Sequence, residues 1–117
     1  MTKPTMIFEQ YSVWLLPFPF TDRVTKKHRP AIVISAEKTF NTPVGHSILA
    51  MITSSENASW SLDTPIQDLE NAGLNIPSVI RMKLFTIDHR LAIRQLGKLS
   101  DDDVKRLEAN LKRLLPQ

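Results

Sequence analysis

A chain of 117 residues, 42% apolar and 23% charged, with 3 Gly and no repetitive tract, fits one compact domain over 1–117 and excludes a low-complexity or disordered protein. The absence of cysteine rules out a disulfide framework and a thiolate metal site, and the longest apolar runs fall far short of the roughly 20 residues of a membrane-spanning helix. A net charge of +3 and a pI near 9.5 are compatible with a polyanionic partner without specifying one; the clustering of Arg23, Lys26, Lys27, His28 and Arg29 within seven positions says more. No cationic start followed by an apolar core opens the chain, so a cytoplasmic location is expected.

Residues 1–10 read as a tail. "SVWLLPF" (12–18) is apolar on both alternating faces, the mark of a strand covered on both sides, and Pro17 and Pro19 end it. The polar stretch 21–28 reads as a loop leading into a second buried strand, "PAIVIS" (30–35), so the two form a long-looped hairpin. Turn chemistry at "FNTPVGHS" (40–47) precedes a third strand, "SILAMITSS" (47–55), with Ile48, Ala50 and Ile52 on one face and Leu49, Met51 and Thr53 on the other. A short strand near 64–67 and a turn at "AGLNIP" follow. "SVIRMKLF" (78–85) is a clear strand whose period of two puts Ile80, Met82 and Leu84 opposite Val79, Arg81, Lys83 and Phe85; "RLAIRQLG" (90–97) reads as the last strand, closed by Gly97. In "SDDDVKRLEANLKRLL", over 100–115, Ser100 is the N-cap, the acids 101–103 complement the helix dipole, and Val104, Leu107, Leu111 and Leu114 form an apolar stripe. Many short strands and one terminal helix predict a mainly β, α+β fold: a small curled antiparallel barrel covered at one side.

Taken alone, Lys26, Lys27, His28 and Arg29 read as a solvated loop that keeps a strand edge soluble. Pro30 adds a second reading, because it holds Arg29 extended and aims its guanidinium from the strand mouth, as bidentate phosphate contact requires. Arg81 and Lys83 likewise read as an exposed face, unless the sheet curls enough to bring Arg29, Thr53 and Arg81 to one cleft able to bind a phosphodiester. His28, His46 and His89 have no helical metal spacing and read as surface histidines, and the acids 101–103 are accounted for by their place in the helix's first turn. Trp14 and Trp60 read as core or interface residues rather than as base-stacking platforms. No metal site and no cofactor are expected.

Together "VWLLPFPFTD", "KKHRPAIVIS", "LAMITSS", "AGLNIPSVIRMKLFTID" and "RQLGKLSDDDVKRLEANLKRLL" resemble, over residues 11 to 115, the PemK/MazF toxins of bacterial type II toxin–antitoxin systems. The resemblance implies an SH3-like barrel with added helices, a homodimer whose grooves bind single-stranded RNA, and metal-independent, sequence-specific cleavage of mRNA that inhibits growth. It also implies a cognate antitoxin that blocks the groove and, with the toxin, binds operator DNA. The family's catalytic Arg and Thr map onto Arg29 and Thr53, and the strand Arg of some members onto Arg81. The family's Gly-Asp before the first strand is Tyr11-Ser12 here, the Asp two residues beyond the strand Arg is Lys83, and a further Arg is Phe85. With the base position occupied by Lys83, His28 is the expected proton carrier, since imidazole is the side-chain type whose ordinary charge change falls near neutral pH. Lys26, Lys27, Ser54, Ser55 and Lys83 are the expected RNA contacts. The alternative is a non-catalytic barrel that binds a protein target such as a topoisomerase, or its own operon's DNA.

Overall fold

The computed structural model describes residues 6–18 and 27–117. Six strands form one curled sheet in the order β4-β5-β3-β2-β1-β6, and every neighbouring pair is antiparallel. They are β1 (Ser12–Phe18), β2 (Lys27–Val33), β3 (His46–Ser54), β4 (Thr64–Pro65), β5 (Ser78–Asp88) and β6 (Arg94–Lys98). With the terminal helix α3 (Asp101–Leu114), this is the curled half-barrel expected from the strand pattern. No helix among the described residues is long and apolar enough to cross a membrane.

The double apolar alternation of β1 to β3 has a direct cause: the sheet buries both faces. On the first face Val13, Ile32, Ala50, Ile52 and Ile80 meet Leu107 of α3, with Val104 and Leu111 packed alongside. On the second face Trp14, Leu16, Ala31, Val33, Leu49 and Ile87 form a separate core.

That second core corrects the expected tail. Phe8 is buried there with its ring stacked between Trp14, at 4.0 Å, and His89, at 3.8 Å. Its carbonyl accepts a 2.7 Å bond from Nδ2 of Asn41, which is itself buried. His89 is therefore half-buried rather than a freely exposed histidine: beyond the stack it hydrogen-bonds Ser47 Oγ at 2.7 Å. Burial and the charge of nearby His46 lower its pKa, outweighing the opposing Asp88.

Two connections fold more tightly than a sequence pattern suggests. Between β2 and β3 a π-helical turn, Glu37–Asn41, runs into the single helical turn α1 (Thr42–Val44), which carries Pro43 near its start and ends on Gly45 in the left-handed region. Between β4 and β5 lies α2 (Leu69–Ala72), capped by the Asp68 carboxylate accepting from the Asn71 amide. Gly73 ends α2 at φ 75°, and a Cβ there would lie 2.1 Å from the Leu96 carbonyl oxygen, so only glycine lets α2 approach β6.

β5 runs three residues beyond the expected strand, to Asp88, and β6 starts four residues late. His89–Leu91 forms a 3-10 turn instead, because the Asp88 carboxylate accepts from the Arg90 amide and guanidinium and so caps a turn.

Ser100 caps α3 as expected, its hydroxyl accepting from the Asp103 amide. Asp103, however, is more than a dipole partner. It is fully buried, and its carboxylate accepts the backbone N–H groups of Gln67 and Asp68 at 3.0–3.2 Å and pairs with Arg106. Burial pushes its pKa up, but those amides and Arg106 prevail and hold it below the usual carboxylate range. It therefore ties α3 to the segment that follows β4.

Candidate nucleic-acid site

The second face of the sheet changes character along its strands. In the β1–β2 register Trp14 lies opposite Ala31, then Leu16 opposite Arg29, then Phe18 opposite Lys27. Across β3 and β5, Leu49 lies opposite Phe85, whereas Met51 lies opposite Arg81. A register shift between Ala50 and Met51 interrupts the ladder at this step. Arg29, Thr53, Arg81 and Lys83 therefore come to one end of the face, around a cavity of about 250 Å³ that Phe18 and Trp60 also line.

Each side chain is held differently. The Arg29 guanidinium lies over the Phe18 ring, 5.2 Å from its centroid, and is half-buried at the strand mouth. Thr53 Oγ1 accepts a 2.6 Å hydrogen bond from Asn57 Nδ2, which fixes the hydroxyl's direction. Arg81 is not the spare cation that the sequence suggests. Its Nε and Nη2 donate to the two Asp63 carboxylate oxygens at 3.2 and 2.9 Å, Nη2 also reaches the Ala58 carbonyl at 2.7 Å, and the guanidinium lies 5.0 Å from the Trp60 ring centroid. Burial acts to raise the Asp63 pKa, yet hydrogen bonds from Arg81 and the Trp60 amide, with the Arg81 charge, take it below its ordinary value. Charge at this corner is thereby compensated, and Arg29 and Lys83 supply the cavity's other cationic groups.

A second cleft of about 460 Å³ opens on the other side of the same residues, between His28, Ser54, Ser78, Arg94 and the segment 73–76. Arg29, Thr53 and Asn57 line both clefts and so stand on the ridge between them. His28 belongs to the larger cleft, apart from Arg81 and Lys83. Lys27 and Ser55 are exposed and line neither, and Lys26 lies outside the described residues. Among the described residues no three His, Cys, Asp or Glu side chains group as metal ligands would.

A family model for the "PemK-like, MazF-like toxin of type II toxin-antitoxin system" matches residues 9–115. The chain belongs to this family. The fold agrees: MazF from Deinococcus radiodurans superposes with a TM-score of 0.72 at 20% identity, covering 97% of this chain and 100% of that one. A MazE–MazF complex from the same organism gives 0.73 at 21% identity over 97% and 99%. The Mycobacterium tuberculosis toxin MazF-mt6 gives 0.66 at 21% identity over 87% and 93%. No curated protein matches at a significant level.

Tyr11 has a φ of 70°, the left-handed conformation that glycine adopts freely. Its ring packs on the first-face core and its hydroxyl donates to Glu108 Oε2 at 2.9 Å, tying the entry of β1 to α3. Burial, followed by that bond and the Glu108 charge, raises its pKa well above the phenol's usual value. Sequence reasoning missed Asn57 and Asp63 as parts of the site. The β4–β5 register, Thr64 opposite Ile80, is what brings Asp63 beside Arg81, and no local pattern announces it.

Proposed function

We propose that this toxin is a metal-independent, sequence-specific endoribonuclease acting on single-stranded mRNA, with the scissile phosphate bound at Arg29 and Thr53. The observation that carries the reading is their position on a ridge between two clefts, which leaves room for a nucleotide on either side of a bound phosphate.

The chemistry is an internal transesterification. The ribose 2′-oxygen attacks the adjacent phosphorus, the 2′-O–P bond forms as the P–O5′ bond breaks, and the products end in a 2′,3′-cyclic phosphate and a 5′-hydroxyl. The 2′-OH proton passes to a base, and the departing 5′-oxygen takes up a proton. Arg29 neutralises the charge that develops on the phosphoryl oxygens, and its high pKa makes it an electrostatic group rather than an acid. Thr53, oriented by Asn57, positions the 2′-OH or a phosphoryl oxygen. His28, beside Arg29 in the larger cleft, carries the proton. Arg81, bound by Asp63, acts mainly by holding that corner of the cavity. Lys26, Lys27, Ser54, Ser55 and Lys83 guide the RNA backbone.

The same reading includes a homodimer, a cognate antitoxin that covers the groove, and operator DNA bound by the complex; antitoxin complexes occur among the similar structures. The test is incubation of purified protein with mixed-sequence RNA in EDTA, with mapping of the cut ends. Cleavage at recurring short sequences, leaving cyclic phosphate ends, is the expected result. Loss of cleavage on chelation, restored by Mg²⁺, would overturn the metal-free mechanism, and intact RNA under all conditions would overturn the nuclease reading.

A further inference from the structure

We propose that Trp60 is a nucleobase platform, binding by stacking a base next to the phosphate held at Arg29 and Thr53. This rests on the RNA reading above. The two tryptophans of the chain differ sharply: Trp14 is 3% exposed in the second-face core, whereas Trp60 is 48% exposed at the rim of the smaller cleft. A large aromatic side chain left this open sits there against the hydrophobic driving force.

Trp60 is nevertheless held. Its amide donates to Asp63 Oδ2 at 3.0 Å, the Asp63 amide donates to the Trp60 carbonyl at 3.3 Å, and between them Leu62 takes a left-handed φ of 69°, strained for a residue with a Cβ. The same Asp63 carboxylate fixes Arg81, whose guanidinium lies against the indole. One carboxylate therefore sets the loop, the cation and the ring together, and still leaves nearly half of Trp60 open.

Such an arrangement suits a base rather than a phosphate. Every base has a π-face, and stacking needs a rigid aromatic surface. The Arg81 charge beneath the ring is compensated by Asp63, so this contact adds little to the salt-dependent phosphate attraction, which falls to Arg29 and the lysines. Phosphate binding on the ridge and base binding at the rim are thereby assigned to different residues.

The test uses a labelled, mixed-sequence single-stranded 2′-O-methyl RNA, whose blocked 2′-oxygen prevents cleavage, and an abasic sugar-phosphate strand of equal length. Affinities are measured by fluorescence anisotropy at several salt concentrations for the parent, Trp60→Ala and Trp60→Phe. Trp60→Ala should weaken binding of the base-bearing strand by roughly 5- to 150-fold, with an unchanged slope of log affinity against log salt. Trp60→Phe should restore most of that loss, and the abasic strand should bind the parent and Trp60→Ala alike. Equal losses on both strands, or none on either, would overturn the platform while leaving RNA binding in place. A parent protein that binds neither strand would overturn the RNA reading and the platform with it.

Discussion

The two ends of the second sheet face are built by the same strands with the same alternation, yet one is a packed core and the other lines an open cavity. At the first end Phe8 folds back over Trp14, Leu49 and Ile87, and the one polar ring it meets, His89, is stacked and hydrogen-bonded. At the other end the inward positions pass to Arg29, Thr53, Arg81 and Lys83, and a cavity takes the place of packed side chains. The alternation decides which residues face inward, and Phe8 closing over one end is what turns those positions into packed core.

That contrast can be broken most forcefully at the dry end. Phe8→Ala should destabilise the protein by about 3–5 kcal/mol, the usual cost of removing a buried phenylalanine, while the fraction that stays folded keeps its cleavage rate. Urea denaturation monitored by far-UV CD, with cleavage rates corrected for the folded fraction, checks both halves of this expectation. Little change in stability would return residues 6–10 to the role of a tail.

A smaller effect at the same packed end shows itself through pH. The folded-state pKa of His89 lies below its ordinary value of 6.5, so the unfolded chain binds more protons on this side chain. Stability should therefore rise with pH through this region, and fall as pH drops below about 6.5 towards the lowered folded value. Melting temperatures at about pH 5.0 and 7.5 should differ for the parent more than for His89→Gln. Equal differences would assign the dependence to other groups.

Much of the fold was legible because burial on both faces leaves a plain mark. The apolar runs of β1, β2 and β3 and the capped stripe of α3 required no knowledge of their neighbours. What escaped depends on contacts distant in sequence. Phe8 ends a short Met6-Ile7-Phe8 run too brief to show a strand or helix period, and stacking on Trp14 and His89 is what makes it core. Asp103 carries the same dipole signal as Asp101 and Asp102, but only Asp103 meets the amides of Gln67 and Asp68. Arg29, Thr53 and Arg81, singled out in the sequence by Pro30, the strand end and the period of two, line one cavity in the structure. The Asp63–Arg81 pair was hidden in the β4–β5 register, and with it the distinction between a free cation and a compensated one.

If Arg29 serves chemistry rather than architecture, Arg29→Ala separates two readouts measured together, melting temperature and single-turnover RNA cleavage. Stability should stay within about 0.5 kcal/mol of the parent, as expected for a partly exposed strand-mouth residue. The cleavage rate at saturating RNA should fall by roughly 10²–10³-fold, the scale of losing one preorganised donor to a developing oxyanion. A variant that melts like the parent and cleaves at the parental rate would contradict the account and leave Arg29 as a solubilising residue at the mouth of β2.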